Sequence, residues 1–402
     1  MESQLNRFFI FIATFTTILS AGYIYIGLRL IQNLNLGAIS QVVFWFVIAG
    51  FVLMTPISYV LNLFYKDSPF QTSLAYIAFA SLGFFMILFS LIFFKDILGI
   101  LMKPFSFISI PDDSKIKTTT EFLFSRKEFF SRFGGISALA ISVGLSSYGL
   151  YKARYGVTIQ KVKIRKRHLH KNLENFRIVQ LSDIHVGPTI KKEFIQELRD
   201  KVNQLKADLV VITGDLVDGR VDYLSEHVSP LKDIQSKHGI FFVTGNHEYY
   251  SGAFAWIKEL GRLGIKTLTN NKITINHQNA KLNLGGIPDI AGAGVHPSHS
   301  PDISLACDAK GETDFSILLC HRPNHIHEAA KFGFDLQLSG HTHGGQFFPG
   351  NYLIHFFQKF VQGLHKIENT WLYVNRGTGY WGPPIRVGTS PEITLFELEG
   401  QA

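Results

Sequence analysis

The sequence predicts a bundle of four transmembrane helices followed by a layered α/β domain. Three observations carry that reading. Long uncharged apolar stretches dominate the chain up to Tyr151, and short apolar runs separated by Gly, Asp, Asn and Pro fill the rest. Across all 402 residues the mean hydropathy is +0.15 and there are 36 Phe, so part of the chain is suited to lipid and there is room for more than one domain.

The first three stretches, 8–28, 38–65 and 70–94, each suffice to cross a bilayer as a helix, which takes about 20 residues. Buried helices of soluble proteins are shorter and interrupted by charge, so spans fit better than core helices. The fourth stretch, 133–151, lies between Arg132 and Lys152 and is rich in Gly, Ala and Ser, which lets helices pack closely in lipid.

Lys and Arg set the expected orientation. Residues 95–132, between spans three and four, hold Lys95, Lys103, Lys115, Lys117, Arg126, Lys127 and Arg132, whereas the preceding loop holds only Lys66 beside Asp67. The positive-inside rule then places 95–132 in the cytoplasm and the chain after Tyr151 on the outer, extracytoplasmic face. Ser125-Arg126-Lys127-Glu128-Phe129-Phe130 resembles a degenerate twin-arginine export signal, with Lys127 at the second arginine, and a basic juxtamembrane stop explains the same charges. The basic run after Tyr151 argues for the opposite topology.

The net charge is +8 with His neutral. The cluster Lys161-Val-Lys163-Ile-Arg165-Lys166-Arg167 beside a membrane points to anionic headgroups, and no nucleic-acid-binding motif accompanies it. Cys307 and Cys320 form no disulfide framework. Cys320 ends the apolar run from Ile317 and reads as a buried strand residue, with a place beside a metal as the alternative.

We place a linker at 152–172 and the second domain at 173–400. Strands are expected at 176–181, 209–213, 240–244, 315–320, 336–339 and 372–374, and Phe194, Leu198, Val202 and Leu205 repeat at helical spacing. Continuous Val/Ile/Leu runs alternating with amphipathic helices imply strands buried on both faces, and such folds bind ligands at the carboxyl ends of strands.

Five polar clusters sit at those ends: Asp183-Ile-His185, Gly214-Asp215-Leu-Val-Asp218, Gly245-Asn246-His247-Glu248, His321, and Gly340-His341-Thr-His343. Asp, His and Asn suit Mn, Fe or Zn. An Asp-x-His or His-x-His pair on extended backbone points both side chains the same way. Each cluster alone is as readily a turn or a surface histidine; five after strands of one domain indicate a metal site.

In that order the clusters resemble the calcineurin-like metallophosphoesterase family over about 176–399. The strings Leu338-Ser-Gly-His-Thr-His-Gly-Gly-Gln346 and Arg376-Gly-Thr-Gly-Tyr-Trp-Gly382 resemble its membrane-associated bacterial branch, the YkuE- and YaeI-like enzymes. The resemblance implies a layered β-sandwich flanked by helices, two divalent metal ions and a bacterial inner-membrane enzyme. It also implies one metal held by Asp183, His185, Asp215 and His343, and a second by Asp215, Asn246, His321 and His341. His247 matches the proton donor and Asp218 the carboxylate that orients it, with Asn246 also facing substrate. Asn324 stands where the family often has Asp.

Two ions about 3.5–4 Å apart clamp a phosphoryl group and provide a bridging hydroxide for attack near neutral pH. The expected activity is therefore hydrolysis of a phosphomonoester, phosphodiester or pyrophosphate, lipid-linked because the chain is anchored in a bilayer. Glu248 is expected to support the loop of His247. Segment 376–382 reads equally as a rim over the metals, with Arg376 reaching a substrate phosphate, or as a turn before the final strand. The competing reading is a sensor or transport protein whose phosphoesterase-like domain is regulatory and idle. A metalloprotease is the weakest reading, because no His-Glu-x-x-His helix is present.

Overall fold

The computed structural model describes residues 2–34, 36–64, 68–102, 126–308 and 311–401. The chain divides into two units, Met1–Tyr148 and Gly149–Ala402.

Helices α1 (Glu2–Leu34), α2 (Ala38–Phe64), α3 (Pro69–Met102) and α4 (Arg126–Tyr155) contain segments long and apolar enough to cross a membrane: Ile12–Gln32, Ala38–Ser58, Pro69–Leu101 and Phe133–Tyr155. Large apolar side chains such as Ile39, Phe46 and Phe70 point outward. That pattern is costly in water and natural where lipid is the solvent. Between the helices the packing is aromatic, with Tyr23 stacked on Phe85 at 3.8 Å between ring centroids. α3 runs beyond the expected end at Phe94, and its Asp96 accepts a hydrogen bond from Tyr25 at 2.7 Å and pairs with Arg29 at 2.7 Å. Residues 103–125, which carry much of the basic loop and Ser125 of the export-signal-like motif, lie outside the described residues.

The second unit contains two six-stranded sheets. Its strands are β1 (Thr158–Arg167), β2 (Arg177–Leu181), β3 (Leu209–Thr213), β4 (Ile240–Val243), β5 (Ile265–Thr267), β6 (Asn271–His277), β7 (Ala280–Gly286), β8 (Phe315–Leu319), β9 (Leu336–Ser339), β10 (Gly363–Ile367), β11 (Thr370–Val374) and β12 (Glu392–Gln401). The orders are β1-β12-β2-β3-β4-β5 and β10-β11-β9-β8-β7-β6. β2 to β5 run parallel to one another, as do β7, β8, β9 and β11.

Alternation along the central strands explains the layers. Ile178, Val211 and Phe241 join Leu282, Ile317 and Leu338 in one core between the sheets. Val179, Val210 and Phe242 face the other way and meet Phe194 and Leu198 of α5 (Lys192–Gln204), Val228 of α6 (Val221–Val228) and Trp256 of α8 (Ala253–Arg262), with the short α7 (Asn246–Ser251) between them in sequence. Each such fully buried Val, Leu, Ile or Phe contributes about 1.5–3 kcal/mol relative to exposure.

Within the stretch expected as a linker, β1 pairs with β12 in parallel along its whole length, from Thr158 opposite Glu392 to Arg167 opposite Gln401. The run read as a headgroup cluster is thus an edge strand. Ile164 is buried under it, and Lys163 and Arg165 pair with Glu399 of β12 at 2.8 and 2.7 Å. Lysine on an edge strand also discourages pairing with a further chain.

Candidate metal centre

All five polar clusters lie in loops that follow the carboxyl ends of parallel strands. β2 is followed by Asp183 and His185, β3 by Asp215 and Asp218, and β4 by Asn246 and His247 at the start of α7. From the second sheet, β8 leads to His321 and β9 to His341 and His343. The site therefore forms where the same edges of both sheets meet. The backbone N–H of His341 donates to Asp183 at 3.0 Å, tying a loop of one sheet to a loop of the other.

Forcing these side chains inward strains the backbone. Asp183, His185, Asp215, His341 and His343 have φ of 51, 56, 50, 76 and 52°. Such left-handed conformations cost on the order of 1–3 kcal/mol each and gather at functional sites. Two motif glycines are required by close approach. A Cβ at Gly245 would lie on the Asp215 carboxylate, and one at Gly340 would lie on Ser182 and Asp183.

Three groups of side chains present donor atoms within 4.8 Å of one another: Asp183 with His185 and His343; His185 with Asp215 and His247; Asp215 with His321 and His341. Nε2 of His185 and Nε2 of His343 are 3.0 Å apart, and Nε2 of His321 and Nδ1 of His341 are 3.2 Å apart. The donor set fits a cation. Nδ1 of His321 donates to the Thr213 carbonyl at 2.8 Å, which leaves the lone pair on Nε2. Nδ1 of His185 bonds Asp218 at 3.0 Å with the same consequence. The Oδ1 of Asn246 is buried without a hydrogen-bond partner, and an amide oxygen in that position is a natural metal ligand.

Electrostatics agree. Burial opposes charge on His321, yet Asp215 and Asp183 raise its imidazole, so the field at Nε2 favours a positive charge, which a cation there supplies in place of the proton. Burial, reinforced by His321 and Arg322, lowers His341 to about 3 and keeps one ring-nitrogen lone pair available.

His247 sits at the rim. Its Nδ1 bonds Oδ1 of Asp218 at 2.5 Å, and its backbone N–H donates to Asp215 at 2.9 Å. Burial would lower the His247 imidazole, but the Asp218 carboxylate raises it to about 9. Burial would raise Asp218, but His185 and His247 bring it to about 2. The same Asp218 oxygen thus serves two histidines, a sharing invisible in the motif. Glu248 is fully buried and accepts from the backbone N–H of Asp215 at 2.9 Å, Leu216 at 2.8 Å and Gly245 at 2.7 Å, so it braces two loops at once.

In segment 376–382 the Trp381 ring lies 5.7 Å from that of His247, and the Tyr250 ring of α7 lies 5.4 Å from it. Arg376, however, is held by buried Glu392, with Nε donating at 2.6 Å. Cys320 is buried, just past the end of β8, and donates to the Arg322 carbonyl at 3.1 Å. Two arginines beside the site belong to none of the sequence motifs. Arg322, next to His321, pairs with buried Asp289 at 2.7 Å. Arg386 is completely buried and donates to the carbonyls of His343 at 2.8 Å and Gly379 at 3.1 Å. Adjacency to His321 was a signal for the first; nothing in Pro384-Ile385-Arg386-Val387 distinguishes the second from a surface residue.

A calcineurin-like phosphoesterase family model matches residues 176–345, the span of all five clusters. An uncharacterized metallophosphoesterase of Campylobacter jejuni is 38% identical over 66% of this chain and 70% of its own length. The transmembrane protein with metallophosphoesterase domain of Danio rerio is 35% identical over 66% of this chain and 62% of its own. The uncharacterized metallophosphoesterase YkuE of Bacillus subtilis is 30% identical over 68% of this chain and 98% of its own. With its strand-end Asp, Asn and His residues gathered into one cation-seeking cluster, the chain belongs to the calcineurin-like phosphoesterase family.

Proposed function

We propose that the chain is a membrane-anchored phosphoesterase that uses two divalent ions. The position of Asp215, whose carboxylate lies within 4.8 Å of His185 on one side and of His321 and His341 on the other, is the observation that carries this reading. Asp183, His185, Asp215 and His343 would hold one ion, and Asp215, Asn246, His321 and His341 the other. Mn, Fe or Zn bound there supplies Lewis-acid stabilisation of phosphoryl charge and a water acidified to react near neutral pH.

The chain's own groups then divide the work. His247, raised to about 9, carries a proton at neutral pH and delivers it to the leaving oxygen of the phosphoester. Asp218, lowered to about 2, stays ionised, holds that imidazole in place and orients His185. Trp381 and Tyr250 flank His247 and limit water at the rim. Arg376, oriented by its ion pair with Glu392, is placed to meet a substrate phosphate at that rim.

We assign a lipid-linked phosphomonoester, phosphodiester or pyrophosphate as substrate, supported by the spans that tether the domain to a bilayer. We place the domain on the extracytoplasmic face, supported by the surplus of Lys and Arg before the fourth span. The test is hydrolysis by the Mn-loaded full chain of bis-p-nitrophenyl phosphate and a panel of phospholipids and nucleotides. Activity should vanish with chelator and return with Mn; inactivity on every substrate would favour an idle domain. Protease cleavage of the domain from outside spheroplasts checks the orientation.

A further inference from the structure

We propose that segment 352–357 is a membrane-docking ridge that inserts into the lipid interface beside the end of the fourth span. The segment begins in the short helix Gly350–Leu353, runs through the single turn Ile354–Phe356 and carries Tyr352, Leu353, Phe356 and Phe357. Phe356 and Phe357 are 83% and 82% exposed, and Tyr352 and Leu353 are exposed as well. Scattered single apolar residues are ordinary on a protein surface, whereas a contiguous aromatic patch marks an interaction site.

Its position identifies the occupant as lipid. The fourth candidate span ends at Tyr155, and Tyr151 and Tyr155 are exposed in its last turns, as tyrosines are at a membrane–water boundary. That same end is fastened to the ridge through one short path inside the second unit. The backbone N–H of Arg386 donates to the Gly149 carbonyl at 3.0 Å. Side chains of Ile385 and Val387 press on Gly149, where an added Cβ would lie 2.5 and 2.9 Å from them. Asn351 in turn presses on Gly388, with its Nδ2 2.5 Å from where a Cβ would stand. The ridge is therefore tied, through residues 385–388, to Gly149 in the last turns of that helix. A soluble protein partner would need no such alignment.

The ridge also grows out of the metal-binding loop. Gln346, three residues after His343, donates its amide to the Trp381 carbonyl at 2.9 Å and accepts from the Trp381 N–H at 2.9 Å. Docking of the ridge brings the rim of the cleft to the headgroup layer, so a lipid-borne phosphoester reaches His247 without leaving the bilayer. Docking does not require hydrolysis, so this proposal and the catalytic one fail separately.

The test uses the full chain in phosphatidylcholine–phosphatidylglycerol vesicles, with Phe356→Cys and, separately, Tyr352→Cys carrying a nitroxide. Cys307 and Cys320 are buried and stay unlabelled. A label on Asn279→Cys, in the exposed β6–β7 turn, is the aqueous reference. Power saturation should show both ridge labels several-fold less accessible to a water-soluble nickel chelate than the reference, and more accessible to oxygen. Labels as open to the chelate as the reference would overturn the proposal. Labels shielded from both reagents would overturn it too, because that signature is burial against protein. An unchanged circular-dichroism spectrum and Tm for each labelled variant establish that it is folded.

Discussion

The two candidate ligand groups around Asp215 are oriented by different means. In the group of Asp183, His185 and His343, the supports are charged: Asp218 holds His185, and Arg386 holds the His343 backbone. In the group of His321 and His341, the main support is the Thr213 carbonyl, which no side-chain change removes, and Asn246 is left with a buried oxygen that has no other partner. Charged supports tie the first group to pH and, through Asp218, to His247. A backbone support ties the second to the integrity of β3. The comparison predicts that single substitutions separate the groups, except at the residue they share.

Asp215→Asn should break the comparison altogether, with loss of both ions and of essentially all hydrolysis. Full occupancy by elemental analysis would show that the groups do not share it. His247→Ala should leave the metal content intact and lower turnover by ~10²–10⁴-fold, the weight of a general acid; unchanged turnover removes its role.

Asp218→Asn should strike the first group and the acid together. Loss of an outer support lowers metal affinity by ~10–100-fold, measurable by metal titration, with the second group spared. The same variant shifts the pH profile. Burial depresses His247, and Asp218 more than compensates, raising it to about 9. The protonated acid is therefore complete at neutral pH and is lost as pH rises through about 9. Without the carboxylate, that loss should begin at lower pH. An unshifted alkaline limb of kcat would assign the limb to another group.

The smallest effect is expected from Arg386→Lys, which keeps the charge and loses the fork. Leaving a buried carbonyl unmet costs about 1–3 kcal/mol, seen as a lower Tm, with weaker binding at the first group alone. An equal loss at both groups would deny Arg386 a specific tie to His343.

Much of the fold was legible because its central strands are continuous apolar runs. β2, β3, β4, β8 and β9 fall within a residue or so of expectation. β1 was read as a basic linker because every second residue from Lys161 to Arg167 is charged, while Val162 and Ile164 between them face inward. β6 escaped notice for the same reason, since Asn271–His277 alternates and buries little of its length. An edge strand has only one face to hide, so its apolar signal is diluted.

The sequence by itself determined the four apolar helices, the central strands with the polar clusters that follow them, and the residue types that a divalent cation requires. Those properties are local: hydropathy acts over about 20 residues, and a ligand's chemistry belongs to its side chain. Only the tertiary structure decided which ligands face one another, that one oxygen of Asp218 serves two histidines, that Arg376 belongs to Glu392, and that a buried Arg386 links the end of α4 to His343. Each of these joins residues far apart in the chain. Their proximity is set by the packing of two sheets, and no local pattern encodes it.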